Sequence, residues 1–197
     1  ETSRIGRIRL AQFTHKKYLE DLSVRDLPKM TEEAETIEIV RLYSGRSKRN
    51  FVLKPETGKS HIGIGLGLKT CQEGYKVWFT TAPLLINQIK ESRSQQTLRA
   101  FQNRFEKYDL VIADEMRYIS FDKEGSELLF THLSLRAGRK STIITTNLSF
   151  ERWGEIFRDP VMTATMIDRL THPSYIVNMN GGSYRMKETK AWLEQKK

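Results

Sequence analysis

The sequence has a single cysteine and no long apolar run. One cysteine, Cys71, excludes an internal disulfide and favours a reducing compartment. The apolar runs are far shorter than the ~20 residues that span a bilayer, and no apolar segment follows the basic amino terminus. We therefore expect no transmembrane helix, no signal peptide and a cytoplasmic location. Cys71 itself falls in a predicted helix, where we interpret it as a small core residue.

Basic residues outnumber acidic ones, and the sequence offers no zinc-binding pattern. His15, His132 and His172 show no spacing typical of metal ligands, so with one cysteine we expect no zinc site. His61 is a lone histidine on a predicted helix, where packing is the simpler interpretation. Lysine and arginine number 33 against 24 aspartates and glutamates, a net charge of +9. This excess favours a polyanionic partner, with nucleic acid as the first candidate. The simpler alternative is a basic surface that has no such partner.

The order of predicted elements indicates one α/β domain. A chain of 197 residues suits a single domain of this class. From residue 50 onward, predicted strands and helices alternate, which predicts a parallel sheet covered on both faces. The predicted strands are 50–53, 75–80, 110–113, 141–146 and 174–179, and the predicted helices are 59–71, 82–90, 98–107, 123–136, 150–157 and 160–170. A further helix is predicted from Thr31 to about Tyr43, and residues 1–30 are expected to pack loosely on the domain.

The most informative stretch is Leu-Val-Ile-Ala-Asp-Glu at 110–115. Four apolar residues predict a buried strand, and the carboxylates of Asp114 and Glu115 follow where that strand is expected to end. Ligands of open parallel sheets bind outside the carboxyl ends of the strands. Two neighbouring buried carboxylates are costly unless a cation or a donor meets them. The pair therefore predicts a Mg²⁺-nucleotide site, with Asp114 holding the metal and Glu115 as general base. The alternative is an ordinary acidic turn.

A matching phosphate-binding sequence, Thr-Gly-Lys-Ser, occurs at 57–60 between a predicted strand and a predicted helix. This is the second half of a P-loop, G-x-x-x-x-G-K-[S/T]. Gly58 would let the backbone approach the phosphates, Lys59 would reach the β- and γ-phosphates, and the Ser60 hydroxyl would coordinate Mg²⁺. The positive end of the following helix would add to phosphate binding.

The first half of this loop departs from the P-loop pattern. Leu53 stands where the first glycine belongs, and no glycine lies between Gly45 and Gly58. Glu56 adds a negative charge to a loop that would bind a polyanion. These departures predict a loop that is either shortened or incomplete, and both alternatives argue against tight ATP binding.

Three polar residues further along the chain are candidates for the same site. Asn147, at the end of a predicted strand, would bond the γ-phosphate or the attacking water; alternatively it caps the helix predicted at Phe150. Arg169 would reach the γ-phosphate of a neighbouring subunit as an arginine finger, or form a weak surface pair with Asp168. Arg185 would contact phosphate within its own subunit, or be an ordinary surface arginine.

Several motifs occur together in one order along the chain: Thr57–His61, Glu73–Val77, Leu110–Met116, Thr145–Asn147, Trp153–Glu155, Met166–Leu170 and Ser183–Arg185. In these motifs the chain resembles the IstB-type transposition helper ATPases, which are related to the DnaC/DnaI helicase loaders of the AAA+ class. The resemblance covers residues 45–190. It implies an AAA+ ATPase domain at 45–190. The composition of the two ends adds a basic amino-terminal segment and helix at 1–44 and a charged tail at 191–197.

The resemblance also implies a fold, cofactors, partners and site residues. The fold would be an AAA+ P-loop α/β fold with a five-stranded parallel sheet between helices and no separate helical lid domain. The cofactors would be ATP and Mg²⁺. The partners would be duplex DNA and the transposase of the same element, and copies of the chain would assemble with one another in the presence of ATP and DNA. No membrane partner is expected. The implied residues are Thr57, Gly58, Lys59, Ser60, His61 and Arg185 for nucleotide, Ser60 and Asp114 for metal, and Glu115, Asn147 and Arg169 for catalysis.

One departure from the family pattern lies beside the acidic pair. Arg117 stands where the family usually has glycine, and a bulky cation there could disturb Glu115. The leading prediction is an ATP-dependent DNA-binding helper that selects the target and regulates the transposase, with weak ATPase activity. The alternatives are a helicase loader and a non-hydrolysing DNA-binding scaffold with a decayed nucleotide site. A P-loop small-molecule kinase is more remote, since it would need neither Glu115 nor Asn147.

Overall fold

The computed structural model describes residues 3–14, 50–54, 59–116, 121–171 and 174–178. Within these ranges five strands form one parallel sheet in the order β2-β3-β4-β1-β5. The strands are β1 (Asn50–Lys54), β2 (Val77–Thr81), β3 (Leu110–Met116), β4 (Ser141–Thr146) and β5 (Ser174–Asn178). The predicted five-stranded parallel sheet is therefore confirmed. The helix predicted from Thr31 lies outside the described residues.

Helices connect these strands and flank the sheet. They are α1 (Arg4–Leu10), α2 (Lys59–Gln72), α3 (Ala82–Ser94), α4 (Leu98–Glu106), α5 (Lys123–Arg136), α6 (Gly154–Phe157) and α7 (Pro160–Thr171), with a 3₁₀ helix at Phe150–Trp153 before α6. Side-chain caps begin several of them: Ser3 accepts the Gly6 N–H at α1, Thr81 accepts the Leu84 N–H at α3, and Asp122 accepts the Gly125 N–H at α5. No helix in the described part of the chain is long and apolar enough to cross a membrane.

The sheet has a buried core on each face. In β3, Val111 and Ala113 pack in the cluster that includes α3, α4 and α5, whereas Leu110 and Ile112 pack in the cluster that includes α1 and α2. Successive side chains of a strand point to opposite faces, so a strand that is apolar throughout must be covered on both sides. The predicted double-sided cover is confirmed, and it leaves the ends of the strands as the place for a polar site.

Helix α2 lies close against the sheet because of a glycine. A Cβ atom added at Gly67 would lie 2.8 Å from the Ile112 side chain and 2.7 Å from the Phe13 side chain, both shorter than real contacts of this kind. Near the end of the same helix, Cys71 is fully buried, and this burial raises the pKa of its thiol to about 11. The interpretation of Cys71 as a core residue is confirmed.

The amino-terminal segment at 3–14 is docked on the edge strand β2, so the expectation of loose packing is wrong for these residues. Ala11 is fully buried, and its carbonyl accepts the Phe79 N–H at 2.8 Å. The Gln12 side chain accepts a hydrogen bond from the Trp78 indole at 3.2 Å. The segment thus covers part of a sheet edge that would otherwise expose backbone hydrogen-bonding groups.

A buried arginine joins the elements around the amino ends of β3 and β4. The Arg136 guanidinium donates to the carbonyls of Phe105, Tyr108 and Ser141 at 2.9, 3.0 and 3.0 Å. The planar guanidinium presents several donors in fixed directions, which a lysine ammonium does not. Arg136 therefore links the end of α5 to the end of α4, to the segment that precedes β3 and to the start of β4.

His132 makes the stability of the fold depend on pH. It is buried between the rings of Phe101 and Phe105, with its Nδ1 at 2.8 Å from the Leu128 carbonyl, and this burial lowers the pKa of His132 below its usual 6.5. The unfolded chain therefore binds a proton at a higher pH than the folded chain does. The stability that the neutral ring contributes is present above about pH 6.5 and is lost as the pH falls through the lower pKa of the folded state.

We expect urea denaturation to give a smaller free energy of unfolding at pH 5.5 than at pH 7.5. In His132→Leu that part of the pH dependence should disappear, because leucine cannot take up a proton. The two profiles, measured on the same preparation series, check this. Parallel profiles would show that other groups cause the dependence.

Candidate nucleotide-binding site

The first turn of α2 meets the carboxyl end of β3. Ser60 Oγ donates to the carboxylate of Asp114, with its two oxygens at 3.0 and 2.9 Å, although the residues are 54 positions apart. The parallel order brings the end of β3 next to the helix that follows β1, because both lie at the carboxyl edge of the sheet. The structure thus brings together the residues that the sequence nominated as the two metal ligands.

Strand β3 does not end at Ala113, and the predicted boundary there is wrong. The strand continues to Met116 through an irregularity: Ala113 pairs with Ile144, and Met116 pairs with Thr146. Two residues of β3, Asp114 and Glu115, therefore stand opposite one residue of β4, which is the arrangement of a β-bulge. Bulges redirect side chains and are frequent beside active sites.

The bulge holds Glu115 in an unusual backbone conformation. Its φ is 58°, in the left-handed region that non-glycine residues rarely adopt. The residue is half-buried, and its N–H donates to Thr145 Oγ1 at 3.0 Å. Such a conformation costs free energy and persists only where the surroundings hold it, and residues that adopt it are enriched at functional sites.

Thr145 was not among the predicted site residues, yet it contacts both members of the acidic pair. Its hydroxyl donates to Asp114 Oδ1 and accepts the Glu115 N–H. In the sequence it reads as one more β-branched residue of a buried strand. The only signal that could have singled it out is its place in the Thr145–Asn147 motif, at the end of a strand.

The donor set around Asp114 fits Mg²⁺ with a nucleotide. Asp114 is 6% exposed, and its carboxylate accepts hydrogen bonds from the hydroxyls of Ser60 and Thr145, neither of which carries a charge. Ser60 Oγ uses its proton on Asp114 and keeps lone pairs for a metal. In the described part of the chain no three His, Cys, Asp or Glu side chains cluster as metal ligands. Mg²⁺ does not need such a cage, since it commonly binds one or two carboxylates plus phosphates and water.

Several predicted residues are described only in part or not at all. Lys59 and His61 flank Ser60 in α2, where the structure describes their backbone. The predicted nucleotide contacts Thr57, Gly58 and Arg185 lie outside the described residues, as do Glu56 and Arg117, the two charged departures from the family pattern. Their roles stay predictions.

Asn147 and Arg169 lie at the surface. Asn147 follows β4 directly and is exposed; the cap residue of the 3₁₀ helix is Ser149, so the alternative that Asn147 caps that helix is wrong. Arg169 is exposed in the last turn of α7, with its guanidinium 6.0 Å from the centre of the Phe130 ring. An arginine that acts on a neighbouring subunit must be exposed, which is compatible with the predicted role.

The sequence profile of the IstB-like ATP-binding proteins matches residues 3–191. The chain belongs to this family. It is 33% identical over 192 residues to the insertion sequence IS5376 putative ATP-binding protein of Geobacillus stearothermophilus, an alignment that spans 96% of this chain and 76% of that protein. The resemblance drawn from the motifs is confirmed.

Solved structures show the fold of this IstB-like chain to be that of the AAA+ P-loop ATPases. The replication initiator DnaA bound to AMPPCP and single-stranded DNA superposes with a TM-score of 0.68 at 17% identity, over 87% of this chain and 52% of that chain. The DnaC helicase loader superposes with a TM-score of 0.64 at 16% identity, over 83% of this chain and 96% of that chain. The IstB-like chain thus spans about half of the DnaA chain. At sequence identities this low, the two superpositions show a shared fold and nothing more.

Proposed function

We propose that this IstB-like protein is the ATP-dependent DNA-binding helper of an insertion-sequence transposition system, which selects the target and regulates the transposase while hydrolysing ATP to ADP and phosphate. The contact between Ser60 and Asp114 carries the proposal. It joins the first turn of the phosphate-binding helix to a buried carboxylate beside Glu115. The insertion-sequence protein to which the chain is similar supports the biological setting.

The first part of the mechanism is binding and orientation of the nucleotide. Thr57, Gly58 and Lys59 would bind the phosphates at the positive end of α2, with His61 and Arg185 as further contacts. Ser60 and Asp114 would hold Mg²⁺. When bound, the ion supplies positive charge against the phosphate oxygens. The two hydroxyls that meet Asp114 keep its carboxylate oriented before any ligand arrives.

The second part is activation of water. Glu115 would act as general base, and the bulge would redirect its side chain. Asn147, which follows the neighbouring strand, would orient the water or the γ-phosphate. Arg169 of an adjacent copy would stabilise charge on the transferred phosphoryl group, so full activity would require an oligomer.

The third part is DNA. The net charge of +9 favours a polyanion, and contacts between lysine or arginine and phosphate weaken steeply as salt concentration rises. We expect assembly on duplex DNA to need ATP and to be lost at high salt. The boundaries at 1–44, 45–190 and 191–197 remain part of this proposal.

Nucleotide binding is the direct test of the proposal. We expect the chain to bind a fluorescent ATP analogue with Mg²⁺, and Lys59→Ala to lower the affinity at least ~10-fold, since the variant loses the ammonium that reaches the phosphates. Lys69→Ala is the matched control, because Lys69 is an exposed lysine of the same helix. The same proteins would then be tested for ATP-dependent assembly on duplex DNA and for phosphate release. If the wild-type chain binds DNA but no nucleotide, the non-hydrolysing scaffold replaces the proposed function.

The second candidate is a helicase loader, favoured by the fold likeness to the DnaC loader. It has the same site and differs in its partner. Affinity capture with the purified transposase of the same element and, separately, with a replicative helicase distinguishes the two. Binding to the helicase alone would support the loader.

A further inference from the structure

One buried hydroxyl contacts both members of the acidic pair. Thr145 is 2% exposed, at the carboxyl end of β4, opposite the bulge of β3. A hydroxyl has one proton to donate and lone pairs with which to accept. The Thr145 proton goes to Asp114 Oδ1, and a lone pair receives the Glu115 N–H at 3.0 Å. The hydroxyl orientation is therefore set by both neighbours at once.

Each of these two hydrogen bonds stabilises one residue of the bulge. With one hydrogen bond from Ser60, the Asp114 carboxylate could still rotate about its Cβ–Cγ bond. The additional hydrogen bond from the Thr145 hydroxyl restricts that rotation. The Glu115 backbone, with φ of 58°, leaves the regular ladder, so its N–H needs a partner other than a strand carbonyl. Thr145 supplies that partner.

We propose that Thr145 is a positioning residue that sets the metal-holding carboxylate of Asp114 and the general base Glu115 together. The inference rests on the proposed function, because it assigns Thr145 to the same metal and hydrolysis site. Outer partners that orient metal ligands typically change metal affinity or activity by about 10–100-fold when they are removed. Loss of this one hydroxyl should therefore affect metal dependence and turnover together.

The next residue offers a matched control. Thr146 is 1% exposed in the same strand, and its hydroxyl donates to the Met116 carbonyl at 2.7 Å and accepts the Leu148 N–H at 3.0 Å. Both partners are backbone groups. Thr146→Val therefore removes the same kind and number of bonds as Thr145→Val, without touching the Asp114 carboxylate or the Glu115 amide.

The experiment compares Thr145→Val, Thr145→Ser and Thr146→Val with the wild-type chain. The readouts are the Mg²⁺ concentration for half-maximal binding of a fluorescent ATP analogue, kcat and KM for ATP, and the thermal midpoint. Thr145→Val should raise the Mg²⁺ requirement and lower kcat by about 10–100-fold each, with a smaller change in KM. Thr145→Ser should recover most of both losses. Thr146→Val should keep the wild-type Mg²⁺ requirement, whatever happens to its thermal midpoint.

The outcomes separate this inference from the proposed function. An active wild-type chain with an unaffected Thr145→Val variant overturns the role of Thr145 and leaves the proposed function standing. Equal losses in Thr145→Val and Thr146→Val would mean a purely structural role, which also overturns it. If the wild-type chain binds Mg²⁺ and nucleotide without hydrolysis, the proposed hydrolysis is wrong. The Mg²⁺ concentration that Thr145→Val needs for nucleotide binding, compared with the wild-type value, then still tests the role of Thr145. A wild-type chain that binds no nucleotide overturns both.

Discussion

Replacing Glu115 by glutamine should slow ATP hydrolysis by about 10²–10⁴-fold, the contribution that a general base usually makes. Glutamine has nearly the same size and cannot accept a proton at neutral pH. The substitution leaves the backbone N–H of residue 115, which donates to Thr145, in place. It also puts a side chain of the same length at the position whose φ is 58°, so the bulge should be retained. Nucleotide affinity should therefore change little while turnover falls.

Phosphate release in the presence of Mg²⁺ and duplex DNA measures this effect. Glu127→Gln, at an exposed glutamate of α5, is the control for removal of one negative charge. The control should hydrolyse ATP at the wild-type rate. Equal rates for Glu115→Gln and the wild-type chain would exclude Glu115 as the base and would return the scaffold alternative to consideration.

Replacing Asp114 by asparagine should abolish the stabilisation that Mg²⁺ and nucleotide give to the fold. A ligand at 100 times its Kd adds about 2.7 kcal/mol, which raises the thermal midpoint of a chain of this size by roughly 5–10 °C. Asparagine is neutral and attracts a cation much less. Thermal unfolding with and without Mg²⁺ and AMPPCP should show this rise in the wild-type chain and almost none in Asp114→Asn.

Asp109→Asn is the matched control, because Asp109 precedes the other end of the same strand. Burial alone would raise the pKa of Asp109, but hydrogen bonds from Lys140 and from the Lys76 N–H lower it overall. The ionised form therefore stabilises the fold at neutral pH, and this stability is lost as the pH falls through the lowered pKa. Asp109→Asn should lower the midpoint without ligand and keep the ligand-induced rise. A full rise in Asp114→Asn would refute the metal role.

Much of the fold could be predicted from local patterns. The helix at Lys123–Arg136 and the strand at Ser141–Thr146 have the same bounds in the structure as in the prediction. The apolar and β-branched residues of such segments report burial, and cap residues such as Asp122 mark where a helix begins. Boundaries that depend on neighbouring strands were less accurate: the strand predicted from Tyr75 begins at Val77.

The site was only partly predictable. Three site residues could be predicted from their positions: Ser60 lies at the start of a predicted helix, and Asp114 and Glu115 follow an apolar strand. Hydroxyl and carboxylate groups at such positions are typical of nucleotide and metal sites. Thr145 could not be predicted, because a threonine in a strand is common and its importance lies in which residues stand opposite it. The docking of residues 3–14 was also missed, since the carbonyl of Ala11 has no sequence signature for its bond to Phe79.

The sequence by itself determined the order and type of the elements, the family and the chemical groups offered to a nucleotide, because these depend on side-chain chemistry and on periodicity along the chain. Only the tertiary structure decided the register between β3 and β4, the bulge at Asp114 and Glu115, and the hydroxyl of Thr145 that meets them both. The reason is physical: one extra residue in a strand leaves composition and periodicity almost unchanged, yet it alters which side chains face each other across the ladder.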